Sequence, residues 1–125
     1  MELRIGNDTY KLEYSIEASL CDECMEKTTG FLLSVSNAEN KSALKNFVST
    51  LANLPETVLS LFYAGLIEHH GEDGDGTVKS KADAKKLLKS YMKENADKEE
   101  GNYHYLLGLF IEQMENDGFF KLIGL

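Results

Sequence analysis

With 125 residues, 42% of them hydrophobic, the chain has the length of one domain and enough apolar content to bury about two-thirds of its unfolded surface without staples, which excludes two enzymes in series and extensive disorder. Asp and Glu number 21 against 13 Lys and Arg, and a net charge of -8 has the wrong sign for a dedicated nucleic-acid binder, whose affinity comes largely from phosphate contacts. Two cysteines, an opening without the basic start and apolar stretch of a signal peptide, and no apolar run of membrane-spanning length predict a cytosolic protein with neither nucleic acid nor membrane as partner.

Leu3 and Ile5 alternate with polar neighbours, Gly6-Asn7-Asp8 carries turn chemistry, and Tyr10, Leu12 and Tyr14 resume the alternation. This pattern predicts a β-hairpin over residues 2–14 with one buried face, and because two strands alone are marginal in water, that face must lie on helices. Ser15 can cap a helix starting near Ile16, with Ile16, Leu20, Cys24 and Thr28 as its apolar stripe and Cys21 and Met25 beside it. Phe31, Leu32 and Val35 carry the same period past Gly30, so residues 16–36 read as one helix or as two. Asn37 offers a cap for a helix that buries Leu44, Phe47, Val48 and Leu51 and closes near Asn53.

Residues 55–70 are the most apolar stretch, and a helix with almost no polar face belongs at the centre of the core. Pro55 suits its first turn, Asn53 and Glu56 have capping-box spacing, and Gly71 suits a left-handed stop. Gly71 to Gly76 should be an exposed loop. Ser80 and Asp83 again have capping-box spacing, ahead of a helix burying Ala84, Leu87, Leu88, Tyr91 and Met92. Residues 95–101 break it. The last helix then sets Tyr103, Leu106, Leu107, Phe110, Ile111 and Met114 on one face and stops at Gly118. Taken together, residues 1–125 are expected to form a single α+β domain, mostly helical, with an N-terminal hairpin followed by about four to five helices.

Cys21-Asp22-Glu23-Cys24 has the spacing of a thiol redox motif, but inside a predicted helix and among acids a thiolate is disfavoured, so the pair reads as two small buried hydrophobes. His69 and His70 are adjacent on a helix and point about 100° apart, which argues against a shared zinc; they read as polar residues in a last turn, favourable to the helix dipole. His104 reads as solvent-facing. In Glu72-Asp73-Gly74-Asp75-Gly76, setting Gly76 at the glycine of a calcium loop puts Gly71 and Ala82 where acids are needed, and the four acids from Glu68 to Asp75 would repel a phosphate. No catalytic, cofactor or metal residues are assigned, and no enzymatic activity is expected.

Charge layout is more informative. Residues 79–98 sum to +4 and the rest of the chain to -12, and Lys81, Lys85, Lys89 and Lys93 recur every four residues as a ridge beside an apolar stripe. Such a ridge is either a solvated helix face or a basic strip that docks on an acidic surface of the same protein or a partner. The closing residues Phe119, Phe120, Leu122, Ile123 and Leu125 are apolar and must be covered, either by the chain's own core or by a neighbouring subunit or client.

As a whole the chain resembles the tail assembly chaperones of siphophages and prophages of Gram-positive bacteria. The resemblance rests on the opening Leu3 to Tyr14, on Phe62-Tyr63-Ala64-Gly65-Leu66-Ile67-Glu68-His69-His70-Gly71, and on the closing Asp117-Gly118-Phe119-Phe120-Lys121. It implies a protein that binds the tape-measure protein in the host cytoplasm, assists tail-tube protein polymerisation around it, self-associates as a homo-oligomer and is absent from the mature virion. A longer frameshifted form is common in the family, and this chain would correspond to the shorter one. The lysine-rich helix and acidic loop at residues 71–98 match no family motif. Two other readings are a head-to-tail joining or other small phage structural protein, and a metal-dependent regulator using the cysteines and histidines.

Overall fold

The alternation at the start of the chain becomes a two-stranded antiparallel hairpin, β1 (Glu2–Ile5) and β2 (Asp8–Lys11), in the computed structural model, which describes residues 1–28 and 53–124. Leu3 pairs with Tyr10 and Ile5 with Asp8, leaving a two-residue turn. Gly6 opens that turn at φ 63°, a left-handed value that glycine adopts without a Cβ clash and that suits the right-handed twist of a tight hairpin. Its N–H donates to Glu94 Oε1 at 2.8 Å, which ties the tip to a helix far along the sequence.

Leu3, Ile5, Tyr10, Leu12 and Tyr14 are all buried, as the alternation requires. Strand pairing nevertheless stops at Lys11. Beyond it the Leu12 N–H still reaches the Met1 carbonyl at 2.8 Å, and the Glu13 N–H then turns to the Gly65 carbonyl of a helix at 2.9 Å.

Helix α1 spans only Ile16–Ser19, and residues 22–28 are helical again. The expected stripe therefore fails in its first half. Ile16 and Leu20 are 63% and 70% exposed, whereas Ala18, Cys24 and Thr28 are buried. The chain breaks at Leu20 and Cys21, so the two helical pieces do not share one 3.6-residue phase. Ser15 makes no side-chain cap; its hydroxyl donates to Glu13 Oε2 at 3.2 Å. The continuation through residues 29–36 and the helix expected between Asn37 and Asn53 lie outside the described residues.

Helix α2, Leu54–His70, is the hub. It carries Pro55 in its first turn, and β2, α1 and two later helices, α3 (Lys81–Glu94) and α4 (Tyr103–Asn116), pack on it. Val58, Leu61, Phe62, Ala64 and Leu66 are buried, as the absence of a polar face in the sequence demands. Phe62 stacks on Phe110 of α4 with ring centres 5.9 Å apart. Two capping boxes do not close. Asn53 makes no side-chain cap of α2, and Asp83 accepts from the Lys79 N–H at 2.9 Å rather than reaching Ser80. Nor is Gly71 left-handed: its φ is -76°, and a side chain there would run into the Ile67 carbonyl.

After α3, a short 3-10 turn (Glu99–Gly101) and Asn102, whose side chain accepts from the Tyr105 N–H at 2.8 Å, start α4. Gly118, at φ 72°, reverses the chain into a last helical turn, α5 (Phe119–Leu122), which packs against α4 and α1. The described helical pieces thus exceed the expected count at two places, the break at Cys21 and the turn after Gly118. The hairpin followed by helices, mostly helical overall, is the architecture expected.

Candidate interaction surface

The lysine ridge of α3 divides. Lys81 is held by Glu23 at 2.6 Å and by Glu56, so the first of the four lysines serves the chain's own packing. Burial pulls the Lys81 ammonium down, but the hydrogen bonds and charges of the two carboxylates outweigh it and raise the pKa. Glu23, in turn, is lowered chiefly by its bond to Lys81, and it also accepts from the buried Ser60 hydroxyl at 3.3 Å. Lys85, Lys89 and Lys93 are exposed.

These three lysines and Glu56 rim a groove of about 380 Å³ whose walls are apolar: Pro55 and Leu59 from the first turns of α2, Leu88 and Met92 from α3, and Tyr103 from the start of α4. The groove lies where the first turns of α2, the outer part of the α3 stripe and the start of α4 meet. Leu59 and Leu88 are buried, and Met92 and Tyr103 are half-buried. Sequence reading found the ridge but not the cleft, whose lining comes from three separate segments.

The apolar tail has two destinations. Phe119 is fully buried, edge-on to Tyr14 with ring centres 6.1 Å apart, so the chain's own core covers it. Phe120 and Ile123 are half-buried, and Leu122 is 50% exposed; Leu125 lies outside the described residues. Leu122 belongs to α5, which packs on α1, and Ile16 and Leu20 are the other large hydrophobic residues left exposed among those described. Two carboxylates hold the backbone around the start of α1: Glu68 accepts from the Glu17 N–H at 3.3 Å, and Asp117 from the Tyr14 N–H at 2.9 Å.

No family model, curated protein or solved structure matches the chain. Cys21 sits just ahead of the helical residues 22–28 rather than inside a helix. Cys24 is buried beside Thr28 Oγ1 at 3.9 Å, and burial pushes its thiol up to about 12, the behaviour of a packing residue and not of a nucleophile. Among the described residues no cluster of His, Cys, Asp and Glu could hold a metal, and no helix is long and apolar enough to cross a membrane.

His69 and His70 do more than decorate a last turn. His70 is buried; its Nε2 accepts from the Lys11 N–H at 2.9 Å, so Nδ1 carries the proton and donates to Asp75 Oδ2 at 2.9 Å. The imidazole thereby joins β2 to the acidic loop. His69 lies 3.3 Å from Glu13. His104 is exposed, as expected. Glu72, Asp73, Gly74 and Asp75 are exposed as well, and Asp75 is drawn down to about 2 by hydrogen bonds from Thr77 and then from His70.

Proposed function

We propose that the protein is a non-enzymatic assembly chaperone of the phage-tail type, which holds a tape-measure protein in the host cytoplasm and assists tail-tube polymerisation. The observation that carries the protein-binding part of this reading is the lysine-rimmed apolar groove. Its apolar walls and exposed cationic rim are the chemistry of helix-in-groove recognition, not of catalysis. The phage-tail part rests on the resemblance of the opening, Phe62 to Gly71, and closing stretches. Those three stretches also pack together: the Glu13 N–H donates to the Gly65 carbonyl at 2.9 Å, the Tyr14 N–H donates to Asp117 at 2.9 Å, and the Tyr14 ring meets Phe119 edge-on.

Co-expression with a siphophage tape-measure protein tests the reading. The tape-measure protein should remain in solution and co-elute with the chaperone, and should aggregate without it. Aggregation in both cases would count against the proposal, and stoichiometric recovery of the chain from purified virions would favour a joining or structural role.

A further inference from the structure

We propose that His70 is an acid-operated latch: the neutral imidazole holds the outer edge of β2 to the acidic loop, and its protonation releases the backbone at Lys11 while the loop stays attached. Amides alternate in direction along an extended strand, and the Leu12 N–H points toward β1, meeting the Met1 carbonyl at 2.8 Å. The Lys11 N–H therefore points away from β1, and among the described residues the sheet has no third strand to receive it. His70 Nε2, on the last residue of α2, takes that place at 2.9 Å.

The two sides of the ring respond to a proton in opposite ways. A neutral imidazole has one donor and one acceptor, and both are used: Nε2 accepts from an amide that can only donate, and Nδ1–H donates to Asp75 Oδ2 at 2.9 Å. A proton on Nε2 sets two donors against each other and ends the bond to Lys11. The same proton makes the contact with Asp75 charge-assisted, which shortens and strengthens it. The ring thus gives up a position shared between strand and loop for the loop alone.

The surroundings confine the release to that one amide. From β2, the Tyr10 ring lies edge-on to the imidazole with ring centres 5.3 Å apart and stays uncharged, since burial and then Asp8 and Asp75 raise its phenol; the Lys11 side chain is exposed. From α2, His69 faces Glu13 at 3.3 Å, a contact that strengthens when that ring gains a proton. From the loop, Glu72 and Asp73 are exposed, and the Val78 N–H donates to the His70 carbonyl at 2.8 Å, a bond indifferent to the state of the ring. The hairpin stays held at its tip by Glu94 on the Gly6 N–H and past its end by the Gly65 carbonyl on the Glu13 N–H. Acid therefore opens a single edge amide of β2 between two fixed points, and an unpaired edge amide is a template for pairing with another chain.

Nuclear magnetic resonance on the full chain tests the latch. The ring nitrogens of His69 and His70 are followed with pH, together with amide exchange at Lys11, each exchange rate divided by the unprotected rate at the same pH. Lys11 should lose about tenfold in protection, the size of one hydrogen bond, over the interval in which His70 Nε2 gains its proton, while Leu12 and Val78 keep theirs. Asp75→Asn removes the charge that favours the imidazolium, so the titration of the ring and the loss at Lys11 should move together to lower pH. His70→Gln, which does not titrate, should abolish the pH dependence at Lys11, and His69→Gln should preserve it. A ring that stays neutral until the whole domain unfolds, protection at Lys11 unmoved while His70 protonates, or a loss that persists in His70→Gln would overturn the inference.

Discussion

At Gly65 the central helix is buried beneath Tyr14 and Leu12, whereas around Leu59, near its start, apolar side chains line an open groove. At the closed place Tyr14 and Leu12 approach so near that a Cβ on Gly65 would sit 2.9 Å from the Tyr14 ring and 3.0 Å from Leu12. Tyr14 is wholly buried, and burial keeps its phenol protonated far above the usual tyrosine range while its hydroxyl remains bonded to Leu61. At the open place, exposed lysines border apolar residues that are only partly covered. One helix thus devotes one part to the fold and leaves another available for association. Substitutions in the first should act on stability, and those in the second on assembly.

The largest effect should come from Phe119→Ala. This side chain is fully buried against Tyr14, and removing a buried Phe typically costs about 3–5 kcal/mol through lost burial and the cavity left behind. Chemical denaturation would register it as a large drop in midpoint. An unchanged midpoint would show that the tail does not belong to the core and would erase the contrast between the two places.

Gly65→Ala should follow, at about 1–3 kcal/mol, because the added methyl must displace the Tyr14 ring and the Leu12 side chain. Thermal melting checks it, with Gly108→Ala as the companion: Gly108 is helical with open space at its Cβ, so alanine there should be neutral or stabilising by up to about 1 kcal/mol.

Part of this contrast was legible beforehand. Period two over Leu3 to Tyr14 and the unbroken apolar run of residues 55–70 each depend on one continuous buried face, and such faces leave a regular trace in sequence. Ile16 and Leu20 misled because the chain breaks at Leu20 without a glycine or proline to mark it, and a break of that kind shifts the phase silently. His70 looked like an ordinary last-turn residue; its partners, Lys11 and Asp75, reach it from the hairpin and from the acidic loop, and no spacing encodes the meeting with the hairpin. The groove was invisible for the same reason, being shared among α2, α3 and α4.

Asp75 offers a smaller, pH-resolved test of the loop anchored on His70. Its carboxyl, 3.8 when free, is held at about 2 in the fold by hydrogen bonds from Thr77 and His70. A depressed carboxyl stabilises the folded state in full above the free value, and that contribution fades as pH falls through the folded value. Asp75→Asn should therefore lower the melting temperature near neutrality, and the difference from wild type should shrink between about pH 4 and pH 2. A difference that stayed constant across that window would mean that the carboxylate charge contributes nothing there.

The smallest effect distinguishes the lysines of a single ridge. Lys81, Lys85, Lys89 and Lys93 are indistinguishable by spacing, yet Lys81 alone is held between Glu23 and Glu56, linking α3 to the helical residues 22–28 and to the start of α2. Partly exposed ion pairs contribute from about 0 to 1 kcal/mol, so Lys81→Ala should cost up to about 1 kcal/mol, and raised salt should reduce the cost. Lys89→Ala removes an exposed side chain on the groove rim and should change stability by no more than about 0.5 kcal/mol. The two variants should exchange rank in an association assay, where Lys89→Ala weakens contact and Lys81→Ala, whose charge already faces its own carboxylates, leaves it nearly intact. Equal effects of both variants on stability and on association would mean that the ridge acts as one solvated face, and the division between a closed and an open part of α2 would lose its electrostatic half.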